Sequence, residues 1–222
     1  MQEVFSILSG CPLFSGVEEG ELSHWLKGQA HRSRALARGE FLFHMGDRPG
    51  QLGVVLAGSL HILYEDAFGG RSILAVVGPG ELFAEAYACA GAPLTVSVAA
   101  REESRVLLLD AGGLLEEQES PAGHRVRDNL IRVLARKNLT LNEKIRHVTR
   151  RTTREKLLSY LSAQRQRQGR DEFVIPFDRQ QLADYLSVDR SAMCTELGKL
   201  CREGLVSCRG KHFVLHTPWE ES

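Results

Sequence analysis

The sequence is short of everything that would place it in a specialised class. Its five cysteines, Cys11, Cys89, Cys194, Cys201 and Cys208, are odd in number and widely scattered. That argues against a disulfide framework. There is no Cys-x-x-Cys-His, and only Cys11 lies near the N-terminus, whereas a [4Fe–4S] cluster needs about four thiolates from one region. His44 and His61 are single histidines, which are usually structural. No apolar run approaches the length of a membrane span, and the N-terminus lacks a basic segment followed by an apolar one. The chain is therefore expected in the cytoplasm, with no membrane partner. No Ser/His/Asp order, metal-ligand spacing or phosphate loop stands out, so no catalytic residue, metal site or cofactor is expected.

What is present is ordinary in amount and uneven in arrangement. The 222 residues suit two domains, and 43% hydrophobic with 25% charged residues allows real cores. The net charge of zero hides a split. Residues 1–124 carry 8 Lys/Arg against 16 Asp/Glu, residues 125–149 carry 7 against 2, and residues 150–222 carry 13 against 10. An acidic front and a basic back suit a protein whose C-terminal part meets phosphate.

The basic end organises the chain. Asp178 can accept from the free N–H groups that open a helix, so it is a predicted N-cap. Leu182, Ala183 and Leu186 follow at helical spacing. Ser187-Val188-Asp189 makes a turn, and Asp189 or Ser191 starts a second helix expected to bury Ala192, Met193, Leu197 and Leu200. Arg190, Ser191, Thr195 and Lys199 fall on the other face. Two short helices around a tight turn, the second with a polar face, describe a helix-turn-helix. Leu205-Val206 and Phe213-Val214-Leu215 then predict a hairpin around the basic tip Arg209-Gly210-Lys211, a wing. Cys194, Cys201 and Cys208 are spaced by seven, but Cys208 lies beyond the Gly204 break, so the three cannot share one helix face.

The front has another texture. Residues 5–27 predict one or two short helices. From about residue 33 come short β-type runs, Phe41-Leu42-Phe43, Gly53–Leu56, Ser59–Tyr64, Arg71–Val77, Thr95–Ala100 and Arg105–Leu109, separated by glycines. That spacing implies an antiparallel sandwich or barrel of jelly-roll type. Between the two ends, 122–149 has no proline and no glycine after Gly123. Leu130, Leu134, Lys137 or Asn138, Leu141, Ile145 and Val148 recur there at spacings of three and four, a narrow seam with a polar gap.

Arg38-Gly39-Glu40-Phe41-Leu42-Phe43-His44-Met45-Gly46-Asp47, then Val54-Val55-Leu56-Ala57-Gly58-Ser59-Leu60, resembles the cyclic-nucleotide-binding-type β-roll. Pro79-Gly80-Glu81-Leu82-Phe83-Ala84-Glu85-Ala86 is similar to its ligand cradle. With the helix-turn-helix, residues 8–216 resemble the Crp/Fnr family of bacterial transcription regulators. The resemblance implies an α+β chain: an N-terminal antiparallel β-roll sensory domain (1–120), a long dimerisation helix (121–149) and a C-terminal winged helix-turn-helix (150–222). It implies a homodimer controlled by a small-molecule effector and bound to double-stranded DNA at a palindromic operator, with RNA polymerase a further candidate partner.

The chain departs from the family at the cradle. Nucleotide-binding members carry Gly-Glu and, about ten residues later, Arg-Ser or Arg-Thr, the Arg pairing bidentately with the cyclic phosphate. Here Ala84 stands in the Gly position, Glu85 matches the Glu, and no arginine occurs between Arg71 and Arg101. A buried phosphate without a cation is a costly unpaired charge, which argues against cyclic AMP. The expected effector site is an apolar pocket of Leu63, Leu94 and Val96 with Glu85 and Thr95, closed by Asn138, Leu141 and Asn142 of the long helix. Glu85 serves either a ligand or the cradle itself, a polar gap in the seam also fixes register, and the alternative is a roll filled by its own side chains.

On the DNA side, Arg190 is the candidate for a bidentate contact to guanine. Ser191 and Thr195 stand where many members carry Glu and Arg, so the operator should depart from the best-known consensus. Arg179, Lys199, Arg209, Lys211 and His212 fit phosphate contacts. The rival readings are a regulatory module that acts on a partner protein without DNA, and, third, an enzyme.

Overall fold

The computed structural model describes residues 2–65, 70–116 and 120–216. The chain forms two compact units, Met1–Arg136 and Lys137–Ser222, and the boundary falls within its longest helix. The first unit opens with α1 (Gln2–Gly10), a 3-10 turn at Pro12–Phe14 and α2 (Glu19–Gly28). Strands β1 (His31–Leu36), β2 (Phe41–Phe43), β3 (Gln51–Ala57), β4 (Leu60–Glu65), β5 (Arg71–Val77) and β6 (Leu82–Phe83) follow. Then come α3 (Glu85–Ala90), β7 (Ser97–Ala100), β8 (Ser104–Asp110), α4 (Ala111–Leu115) and the start of α5 (Pro121–Val148). Past α5 the second unit holds α6 (Thr153–Gln168), β9 (Glu172–Val174), α7 (Arg179–Leu186), α8 (Arg190–Arg202), β10 (Val206–Arg209) and β11 (His212–Leu215).

The strands of the first unit pair antiparallel in two sheets, β1-β8-β3-β6 and β2-β7-β4-β5. Alternation along β3 and β8 explains the layering, since successive side chains point to opposite faces of a strand. Val55, Val106 and Leu108 face the second sheet and join Leu36, Leu60, Phe83 and Val98 in the core of the roll. Leu52, Val54, Leu56, Leu107 and Leu109 point the other way, onto a layer of Leu8, Phe14, Trp25, Leu114, Val126 and Leu130 from the helices. Because both faces are covered, β3 is apolar without a break from Leu52 to Ala57. Gly53 is obligatory in it: a Cβ there would lie 1.9 Å from the Phe83 ring.

Two strands escape sequence reading. β1, His-Arg-Ser-Arg-Ala-Leu, is an edge strand exposed along most of its length, so it carries no apolar alternation. β6 is only two residues long. The expected strand from Thr95 begins at Ser97, leaving Thr95 and Val96 in the preceding bend.

α5 is helical throughout, but its apolar seam divides. Leu130 is fully buried and Leu134 packs beside it in the first unit's core, where the buried Asn129 amide donates to Leu13 O and Ser15 O at 3.1 and 2.8 Å. Ile131, Leu139, Leu141 and Ile145 are left more than half exposed.

The second unit has its own core of Leu157, Tyr160, Leu161, Leu182, Leu186, Met193, Leu200 and Phe213, capped by the sheet β10-β11-β9. α6 opens on a reciprocal cap in which Thr152 and Glu155 satisfy each other's backbone N–H groups. From α5, His147 is buried and shares a 2.8 Å hydrogen bond with the Ser159 hydroxyl.

Candidate nucleic-acid interface and effector site

Capping positions the polar face of the second unit. Asp178 accepts from Gln181 N at 2.8 Å while the Gln181 side chain accepts from Asp178 N at 2.9 Å, so α7 starts on a full capping box. α7 ends at Ser187, held in the left-handed region at φ 52°. Lys156 on α6 reaches across to donate to Leu186 O and Ser187 O at 3.3 and 3.4 Å, satisfying carbonyls that a helix end leaves open. Asp189 then opens α8 by accepting from Ala192 N at 2.9 Å and from the Ser191 hydroxyl at 2.5 Å. The Ser191 hydroxyl and then the Ala192 N–H hold the Asp189 carboxyl below its usual range.

α8 is tied to α6 by charge. Arg154 donates to both carboxylate oxygens of Glu203, at 3.0 and 2.5 Å, and to Glu196 at 3.5 Å. The Arg154 contact holds the Glu203 carboxyl low. No local sequence signal marks Arg154 or Lys156, because their partners lie 30 to 49 residues away.

The expected DNA residues fall into two groups. Arg190, Ser191, Thr195 and Lys199 are exposed along one side of α8, while Met193, Leu197 and Leu200 are buried on the other. Arg190 makes no side-chain hydrogen bond or ion pair with the described residues. Ser191 is committed to the cap, and Lys199 pairs with Glu196 at 3.0 Å. Ala192, expected in the core, is exposed. It lies ~100° round the helix from Met193, on the side of Thr195 and Lys199.

In the wing, Gly210 takes φ 59° and the turn is shorter than expected, since Arg209 and His212 still pair in the ladder. Arg209 and His212 are exposed, and Lys211 donates to Pro176 O at 2.7 Å. Arg179 is half-buried, its guanidinium 5.0 Å from the centre of the Phe213 ring and donating to Cys208 Sγ at 3.2 Å.

At the cradle of the roll, Ala84 adopts φ 59° at the opening of α3, a conformation that glycine takes freely. Glu85, the first residue of α3, is buried. Leu63 and Leu94 are buried, Val96 is half-buried, and exposed Thr95 shares a 2.5 Å hydrogen bond with the Tyr87 hydroxyl. Asn138, Leu141 and Asn142 belong to the second unit and are exposed, and Asn142 Nδ2 donates to Asn138 Oδ1 at 2.9 Å.

Comparison with known proteins agrees with this geometry. Residues 33–120 match the cyclic nucleotide-binding domain, and residues 155–219 match the Crp-like helix-turn-helix domain. Catabolite activator protein of Thermus thermophilus is similar in structure, at 25% identity and a TM-score of 0.50, over 93% of this chain and 94% of that one. The c-di-GMP responsive global regulator CLP of Xanthomonas campestris shares the fold at 20% identity and a TM-score of 0.52, over 90% of this chain and 100% of the other. No curated protein matches the chain. Among the described residues no helix is long and apolar enough to cross a membrane. A sensory roll followed on the same chain by a Crp-like helix-turn-helix makes this protein a DNA-binding transcription regulator of the Crp/Fnr family.

Proposed function

We propose that the chain acts as a homodimer on a palindromic operator, under the control of a small effector other than cyclic AMP. The DNA reading is carried by Arg190, exposed and uncommitted at the opening of a capped helix. A guanidinium at that position can meet guanine O6 and N7, with Arg209 and His212 left for phosphates. Dimerisation is supported by the exposed apolar residues Ile131, Leu139, Leu141 and Ile145 on α5. Two-fold symmetry then calls for half-sites about one helical turn apart.

The effector reading rests on charge. Between Arg71 and Arg101 the sequence holds no arginine or lysine, and Arg71 lies on exposed β5 in an ion pair with Glu65 at 2.5 Å. The cradle segment therefore brings no cation of its own to a cyclic phosphate, and an apolar effector with a group for Glu85 or Thr95 fits better. RNA polymerase is the further partner of this reading.

Binding-site selection with wild type and Arg190→Ala tests the DNA face. The variant should lose about 1–3 kcal/mol and relax at one base pair per half-site; unchanged preferences would remove Arg190 from the reading. Thermal unfolding against cyclic nucleotides and apolar acids tests the effector, because a ligand of the native state raises the midpoint with its concentration. A shift with cyclic AMP would overturn the argument from the missing arginine.

A further inference from the structure

Cys201 sits in the last turn of α8 and Cys208 on β10, beyond the Gly204 turn, yet their sulfurs lie 3.8 Å apart. Closing that gap to a disulfide of about 2.05 Å calls for rotation of the two side chains. Cys208 Sγ also accepts the Arg179 guanidinium N–H at 3.2 Å. Both cysteines are half-buried, so neither is sealed from a small reagent. The other cysteines differ. Cys11 is buried, which pushes its thiol up to about 11, and neither Cys89 nor Cys194 has a second sulfur beside it among the described residues.

We propose that Cys201 and Cys208 form a reversible dithiol–disulfide site whose oxidation releases Arg179 to contact a DNA phosphate, a consequence that rests on the DNA-binding reading above. The oxidant class is a low-molecular-weight disulfide. Cys208, as thiolate, attacks one sulfur of that disulfide and expels one thiolate. Cys201 gives its proton to solvent, attacks Cys208 Sγ and expels the second. The cysteine pair loses two electrons and two protons, and the reagent disulfide is reduced to two thiols. The order follows from the surroundings: Cys208 faces a cation, whereas burial and then the neighbouring Cys208 hold the proton on Cys201 more tightly. Once its sulfur turns toward Cys201, Cys208 no longer accepts from Arg179, and among the described residues the guanidinium keeps only the Phe213 ring.

The test uses the full chain with oxidised glutathione as the probe. After acid quenching and alkylation of the remaining thiols, mass spectrometry should find the Cys201 and Cys208 peptides joined and short of two hydrogens, and dithiothreitol should restore them. Cys201→Ser should stop at a glutathione adduct on Cys208. Binding of a fluorescent random-sequence duplex, followed against salt, should steepen in log–log slope by about one on oxidation. Arg179→Ala should abolish that difference. Wild type that keeps glutathione on Cys208 with Cys201 free overturns the site, and a disulfide that leaves the salt slope unchanged overturns the release of Arg179. Duplex binding absent from both forms tells against the DNA reading, while the mass measurement still decides the dithiol.

Discussion

The helix-turn-helix and the cradle of the roll are held together by different means. Each helix of the first is opened by its own aspartate, three residues from the N–H it satisfies, and the turn between them is closed by Lys156. In the cradle, α3 opens on left-handed Ala84 with no side-chain cap, and the strands of the roll rely on glycines against which other groups rest, Gly53 under Phe83 and Gly58 at the turn from β3 to β4. One region fails when a polar contact is removed. The other fails when a methyl group is added.

Glycine substitutions should separate the two most widely. Gly58 sits at φ +72° with a would-be Cβ 2.4 Å from Glu103 O, a backbone atom that cannot swing away. Gly58→Ala should lose about 3 kcal/mol in urea denaturation, combining left-handed strain with overpacking. Gly198 in α8 has a would-be Cβ no closer than 3.7 Å to any group, the end of Arg202. Gly198→Ala should therefore gain about 1 kcal/mol from helix propensity. Equal effects at the two positions would erase the contrast.

A finer comparison uses the two non-glycine residues at positive φ among the described residues, Ala84 and Ser187. Relief of left-handed strain, less the extra freedom of the unfolded chain, should make Ala84→Gly and Ser187→Gly each more stable by about 0.5 kcal/mol. A loss at Ala84 alone would show that its methyl group packs the cradle.

The smallest effect expected is on the acid stability of the second unit. Asp189 and Glu203 both titrate below their ordinary values, so their contribution is complete above the unfolded range, about pH 4, and is lost as pH falls through the lower folded values. Arg154→Met with Asp189→Asn should flatten the acid limb of a plot of Tm against pH. A limb as steep as that of wild type would assign it to other carboxylates.

These contrasts also explain what could be read from the chain. Asp178 and Asp189 are legible as caps because donor and acceptor lie within one turn of sequence. The core strands β3 and β8 are legible from their apolar runs, and the glycines between strands mark the roll. β1 is not, because an edge strand has no need of apolar alternation. The α5 seam misleads at Leu130, since a spacing of three and four is the same whether the partner is a second copy or the roll itself. Cys201 and Cys208 meet through a turn at Gly204 that no helical spacing describes. Where Arg179 and Lys211 donate is likewise hidden, because Cys208 and Pro176 stand 29 and 35 residues from them.

The reach of α6 into the turn has a consequence for transplanting the DNA-reading end onto another sensor. The matched helix-turn-helix domain begins at residue 155, but a graft cut there would leave behind Thr152, which caps α6, and Arg154, which anchors α8. It would keep the recognition helix and lose part of what aims it. A portable cassette has to start ahead of Thr152, so the fragment that can be moved intact is longer than the fragment that touches DNA.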